Sequence, residues 1–378
     1  MRGIRLAALA TAVLLLVSLP AVARELAVGQ QASIDLPSGF TPGAGDGRTR
    51  FSYFGPAETV EVAILLYDHA RFASAAAMAS ELLRTLGSQG ETSAFAYAGR
   101  DAVLAELSFS LGGERRKGYG VFIHGESGCA LLAHAPESRF AASADLIVSS
   151  LDAFAIDRAA RRLPGPVSQF TLAWPPARTA RKTATLPDGG RDLPWSDEER
   201  DEEGSVAERE HRVLSAYAET ETLWVDAWAR FYRMVYRQSA ARLDRFVDAF
   251  AESLPLGDPT ETARRVLSWV QGFTYERDVA GLDFVPPLAA AFERRGDCDA
   301  RAVVMAIILE RLGIDCVLML SREYGHAMLA VDVPGGGKRF PYQGKDYLVA
   351  ETTAKVGLGM IDAGQADFTK WLGVDLGE

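Results

Sequence analysis

A stretch of proline and acid between residues 160 and 204 decides how this 378-residue chain can be partitioned. Pro164, Pro166, Pro175, Pro176, Pro187 and Pro194 each remove a backbone donor and fix φ, and Gly189-Gly190 adds freedom, so no regular element is expected there. Residues 197–203 follow with six acidic side chains in seven positions, a block that reads as a solvated linker running into a helix start. The chain exceeds the size of one ordinary domain, so two or three are expected. The predicted partition is a domain at 24–159, a linker at 160–204, a helical segment at 205–258 and a final domain at 259–378.

Residues 1–23 stand apart. Arg2 and Arg5 precede an apolar run over residues 6–19, then Pro20 and Ala21-Val22-Ala23, the order of a secretory signal peptide. The run is shorter than the ~20 apolar residues that span a bilayer, and no later segment is long and apolar enough to do so. No cysteine follows the expected cleavage point after Ala23, which argues against a lipid anchor. The chain is therefore expected to be exported, periplasmic or extracellular, with no membrane span after cleavage. Its formal charge of −10, with no basic stripe, weighs against a nucleic-acid partner. A hydrophobic share of 48% leaves room for sizeable cores.

Before the linker, strands are expected at 27–36, 50–54, 59–66, 92–98, 102–111, 119–124 and 129–134, and helices at 72–86 and 139–154. In the first helix Phe72, Ala75, Ala76, Leu82, Leu83 and Leu86 recur at helical spacing. This is an α+β unit, most simply a sheet with its helices on one side. In order and rhythm it distantly resembles the Mog1/PsbP-like fold. After the linker, residues 205–254 read as one long helix or two. Tyr217, Trp224, Trp228, Phe231, Tyr232 and Val235 form a stripe expected to pack into a core. A further helix is expected at 262–272.

The chemistry concentrates after residue 282. Residues 296–302 read GDCDARA, and residues 302–312 are an apolar helical run. Gly296-Asp297 is a natural entry turn, so Cys298 should occupy the first helical turn. There the partial positive charge of the helix end favours thiolate, and free amide N–H groups can hold an oxyanion. Three cysteines follow the signal segment, Cys129, Cys298 and Cys316, so at least one is unpaired. A helix from 298 to 312 puts its ends ~21 Å apart, beyond the ~4.4–6.8 Å of a disulfide, so Cys298 and Cys316 are not expected to bridge. Cys129, on a predicted strand, reads as packing.

A thiol nucleophile needs a base, and His326, in YGHAMLAV, is the one histidine after residue 211. Strands are expected at 317–320 and 327–333, with His326 at the rim where the second begins. The base needs an orienting acceptor. Glu351, at the end of a strand over 347–350, is the choice. Asp332 lies ~20 Å along the histidine's own strand, and Asp346 reads as a turn residue. No cofactor and no metal are expected: one histidine and two cysteines in this half do not make a zinc spacing. Gly335 to Lys338 lacks the spacing and following helix of a phosphate loop, and Ser127 in GESGC lacks the serine-hydrolase elbow.

A cysteine at a helix start, then histidine and acid on successive strands, resembles the transglutaminase-like superfamily, of papain-like Cys-His-Asp/Glu type. Gly296, Cys298 and Ala302 fit its G-x-C-x-x-x-A element. YGHAMLAV is similar to its histidine strand, ETT at 351–353 to its acid-x-Thr element, and 268–275 to its helix-to-extended segment. The likeness spans about residues 260–360. Two departures stand out: Glu351 replaces the usual aspartate, and Met328 an aromatic residue. No calcium signature of the animal enzymes is found. The resemblance implies a helix bearing Cys298 packed on an antiparallel sheet, and catalytic Cys298, His326 and Glu351. It implies an exported hydrolase or transamidase acting on peptide, protein or amide substrates through a thioester. The alternatives are an inactive envelope scaffold or protein-binding module, and a peptidoglycan-cleaving cysteine peptidase of another papain-like type.

Overall fold

The computed structural model describes residues 25–56, 60–177, 179–218, 220–254, 257–277 and 283–377; the expected signal peptide at 1–23 lies outside them. The strand expected over 27–36 is two, β1 (Leu26–Val28) and β2 (Ala32–Ile34), because Gly29 at φ 64° turns the chain between them. Then come β3 (Thr41–Pro42), β4 (Arg50–Phe54), β5 (Glu61–Asp68), α1 (Ala75–Leu86), β6 (Thr92–Tyr97), β7 (Arg100–Leu111), β8 (Glu114–His124), β9 (Ser127–Pro136) and α2 (Phe140–Asp152). Strands β3 to β9 form one antiparallel sheet in the order β3-β4-β5-β9-β8-β7-β6. A short strand, β10 (Phe154–Ala155), pairs with β2.

The helices do not share a side of this sheet, as the simplest packing has it. Val62, Ile64, Val121, Ile123 and Leu131 pack with Ile147 and Leu151 of α2, whereas Val103, Phe122, Ala130 and Leu132 pack with Met78 of α1. Successive residues of a strand face opposite ways, so both faces are covered and each helix takes one.

The stretch read as a linker is structured. It carries α3 (Pro166–Thr171) and a hairpin of β11 (Ala180–Leu186) and β12 (Gly189–Trp195). Ala184, Leu186, Leu193 and Trp195 of the hairpin are buried in the second core. The acidic run is likewise no solvated linker. It is the first two turns of α4 (Asp197–Ser215), capped by Ser196, whose hydroxyl accepts the Glu199 N–H at 3.2 Å. Carboxylates suit a helix N-terminus, and Glu199 and Glu203 turn inward, Glu203 accepting the Leu288 N–H at 3.0 Å.

The remaining helices are α5 (Glu221–Ala240), α6 (Asp244–Glu252), α7 (Pro259–Val270), α8 (Pro287–Glu293) and α9 (Cys298–Arg311). An antiparallel sheet of β13 (Cys316–Ser321), β14 (His326–Val331), β15 (Arg339–Tyr342), β16 (Lys345–Ala350) and β17 (Leu372–Asp375) completes the fold, in the order β15-β16-β14-β13-β17. The architecture is α+β. Helix α9 is apolar on every side and is correspondingly buried, with residues 302–309 fully enclosed between the sheet and the other helices.

Helix α5 is the seam. Phe231, Tyr232, Val235 and Tyr236 enter the second core, as the aromatic stripe implies, while Trp224 and Trp228 are half-buried. Arg230, Arg233 and Arg237 point the other way. The Arg230 Nη1 pairs with Glu210 at 2.9 Å and its Nε donates to the Asp35 carbonyl at 2.6 Å. Arg233 pairs with Asp35 at 2.7 Å, and Arg237 donates to the Phe154 carbonyl at 2.5 Å.

Candidate active site

Gly296 admits the turn into α9. Its φ is 146°, and a Cβ there would lie 2.8 Å from the Ala300 Cβ, so a side chain is excluded by conformation and by space. Asp297 caps the helix, its Oδ1 accepting the Ala300 N–H at 3.0 Å. Cys298 is the first helical residue and is 8% exposed. Among the described residues the amides of Cys298 and Asp299 have no protein acceptor, as the first donors of a helix must. Arg301, buried, ties this turn to its surroundings by donating to the carbonyls of Gly296 (3.1 Å), Phe273 (2.8 Å) and Thr352 (3.4 Å).

His326 opens β14 opposite Ser321, at the sheet rim, and Glu351 follows the last residue of the neighbouring β16. The His326 Nε2 lies 2.8 Å from Glu351 Oε2. The other oxygen of Glu351 accepts the Thr353 N–H at 2.7 Å and the Thr353 hydroxyl at 2.5 Å. Burial works against the charge on Glu351, but the His326 and Thr353 bonds outweigh it and hold the carboxyl at about 2. Gln271 fixes the backbone of the same turn by donating to the Glu351 carbonyl at 2.8 Å. Trp371 lies edge-on to the imidazole, ring centroids 6.1 Å apart. The rivals are elsewhere: Asp332 pairs with Lys345 at 2.7 Å, and Asp346 is exposed.

The thiol is placed beside this pair but not joined to it. The Ala327 backbone, one residue beyond His326, lies near the sulfur, whereas Cys298 Sγ donates to Asp299 Oδ1 at 3.1 Å. Asp299 is itself held by the Tyr232 hydroxyl, which donates to Oδ2. Burial, then the carboxylates of Asp299 and Asp297, push the Cys298 thiol up. This reverses the sense expected from the helix start. A helix end contributes about 0.3–1 kcal/mol, whereas burial of a charge can move a pKa by ~3–5 units at ~1.36 kcal/mol each. These surroundings favour the neutral thiol of Cys298 over the thiolate.

Tyr232, Asp299, Gln271, Arg301 and Trp371 are site residues that sequence reading missed. Asp299 and Arg301 lie within GDCDARA, and Gln271 within the 268–275 segment, but nothing local marks their roles. Cys129 and Cys316 are buried and free, the Cys316 thiol donating to Glu310 at 3.2 Å. A cavity of about 450 Å³ opens beside His326 and Glu351, walled by Tyr324, Val356, Met360, Ile361 and Asp362. Among the described residues no cluster of His, Cys, Asp and Glu could hold a metal ion, and no helix is long and apolar enough to cross a membrane.

No curated protein matches the chain. Solved structures similar to it include the cyanobacterial PsbP protein CyanoP of Synechocystis sp. PCC 6803, at 10% identity and TM-score 0.28, covering 33% of this chain and 86% of that one. LpqN, involved in cell envelope biogenesis of Mycobacterium tuberculosis, is 15% identical at TM-score 0.25, covering 34% and 85%. A protein of Bacteroides thetaiotaomicron is 10% identical at TM-score 0.25, covering 85% and 87%. Such TM-scores decide nothing about this chain's role. The family model that matches is Transglut_core, the transglutaminase-like superfamily, over residues 248–342, a span that includes Cys298 and His326 and stops short of Glu351. The C-terminal region of the chain is transglutaminase-like.

Proposed function

We propose that this chain is an exported cysteine-dependent acyl-transfer enzyme that cleaves or exchanges amide or peptide bonds through a thioester on Cys298. The observation that carries the reading is the His326–Glu351 pair, 2.8 Å apart at the rim of β14, beside a cysteine that starts a helix. Nε2 faces the carboxylate, so Nδ1 is the nitrogen available to the thiol. In this reaction the sulfur leaves Asp299 for that nitrogen. Imidazole takes the thiol proton as sulfur attacks the carbonyl carbon, and the amide N–H groups of Cys298 and Asp299 receive the oxyanion. The imidazolium, steadied by Glu351, then protonates the leaving amine, and water or an acceptor amine resolves the thioester. Export rests on the residue 1–23 pattern.

One observation favours the inactive-scaffold reading: the thiol bonds Asp299, not His326. Acylation separates the two. With p-nitrophenyl acetate as acyl donor, Cys298 is expected to gain one acetyl group, read by peptide mass, with a burst of p-nitrophenolate. His326→Ala should slow that burst ~10²-fold or more, the usual contribution of a positioned base. No adduct on Cys298, or acylation indifferent to His326, would leave the scaffold reading standing.

A further inference from the structure

The enzyme reading leaves one half-buried acid beside the nucleophile without a part. Asp299 is half-buried at the start of α9 and lies between three groups. It accepts the Cys298 thiol on one oxygen at 3.1 Å, accepts the Tyr232 hydroxyl on the other, and lies within electrostatic reach of His326. Tyr232 comes from α5, 67 residues earlier, and is itself buried. A carboxylate that only capped the helix would bond amide N–H groups; that task belongs to Asp297. Both oxygens of Asp299 are instead given to side chains.

We propose that Asp299, anchored by Tyr232, is a positioning residue that holds the Cys298 proton in the empty site, so that the nucleophile stays a bound thiol until substrate turns the sulfur toward His326. The inference rests on Cys298 being the nucleophile of the proposed function. No oxidant or added group is involved: one S–H···O bond is exchanged for an S–H···N bond, and the proton passes to imidazole only as the C–S bond forms. The hold keeps a free thiol in an exported protein from reacting indiscriminately, because thiol is far less nucleophilic than thiolate.

The charged and titratable neighbours among the described residues enter the balance. Asp297 lies at the cap and Arg301 one turn into α9; Tyr275, Arg277 and Asp283 lie on the segment ahead of α8; His326 and Glu351 lie on the sheet side. Asp299 is the one whose oxygen touches the sulfur. Replacing it with asparagine keeps the shape and removes the anion, so thiolate becomes easier to form.

The test is the rate of iodoacetamide labelling of Cys298 against pH, by peptide mass, in the full mature chain and in Asp299→Asn. In the unaltered protein the midpoint should lie above the free-thiol value of about 8.5. Asp299→Asn should bring it down by a unit or more, raising the rate at pH 7 about tenfold, since one unit is a factor of ten. A residue with a merely structural role would change the limiting rate at high pH through access and leave the midpoint in place; that result overturns the proposal. A midpoint below 8.5 in the unaltered protein overturns it too, and needs no variant to fold. Labelling does not require turnover, so the two readings fail separately. A midpoint that depends on Asp299 without His326-dependent acylation keeps the hold and removes the enzyme; the reverse removes the hold alone.

Discussion

Glu351→Gln offers a thermodynamic view of the His326–Glu351 pair that does not depend on finding a substrate. The Glu351 carboxyl is held at about 2 against an ordinary 4.5, by the His326 and Thr353 bonds and against its own burial. At 1.36 kcal/mol per pH unit, the difference is worth ~3 kcal/mol to folding near neutrality. The side chain is 7% exposed, so solvent screening takes little from that figure. The sign follows from the depression. A carboxyl lowered in the fold stabilises above its unfolded value, and the contribution fades as pH falls from about 4.5 toward about 2. Glutamine keeps the size and cannot ionise. Glu351→Gln should therefore be less stable than the parent by about 2–3 kcal/mol at pH 7, with the gap shrinking by roughly half at pH 3. Urea unfolding at pH 7, 5, 4 and 3, followed by tryptophan emission, measures this. All six tryptophans lie at or beyond residue 174, so emission reports chiefly on the second core. A gap of the same size at every pH would show that no ionised Glu351 is held there.

Three further outcomes follow from buried groups. Trp195→Ala should cost about 3–5 kcal/mol in urea unfolding, because this hairpin residue is 5% exposed and packs on Phe292 at 4.8 Å; a free linker would show almost nothing. Arg230→Met takes one of two arginines from the buried Glu210, which keeps Arg209 at 2.9 Å, and leaves the Asp35 carbonyl without that donor; it should cost about 1–3 kcal/mol, read as a lower unfolding midpoint that restoring arginine recovers. Gly296→Ala forces a side chain into φ 146° against Ala300, and should abolish Cys298 acetylation by p-nitrophenyl acetate while circular dichroism shows how much fold survives.

What the sequence declared was local. Glycine and an N-capping aspartate before an apolar run put Cys298 at the start of α9; a polar-to-apolar change put His326 at the start of β14; the end of an apolar strand put Glu351 beside it. The hairpin was hidden because its prolines look like breakers. Pro187 lies in the turn, however, and Pro194 in a two-stranded ribbon, where each strand is an edge and a missing N–H is tolerated. The acidic run misled through its charge. Its burial follows from spacing, since Glu199 and Glu203 are four apart and share one helix face. The placement of α1 and α2 on opposite faces was readable: residues 62–66 and 130–133 are apolar without alternation, the mark of a strand covered on both sides.

The state of the thiol was not readable in this way, and the reason is physical. Reactivity at a helix start is a contest between a dipole worth under about 1 kcal/mol and a desolvation cost several times larger. The first is visible in GDCDARA, whereas the second depends on what encloses it. Asp299 follows Cys298 in sequence, yet its oxygen reaches the sulfur because Tyr232 of α5 anchors the other one. Within two turns of that helix, Arg230, Arg233 and Arg237 are seated on carbonyls and Asp35 of the first domain. The group that steadies Asp299 is thus placed by the interface between the two cores, and a motif of seven residues carries no record of that interface.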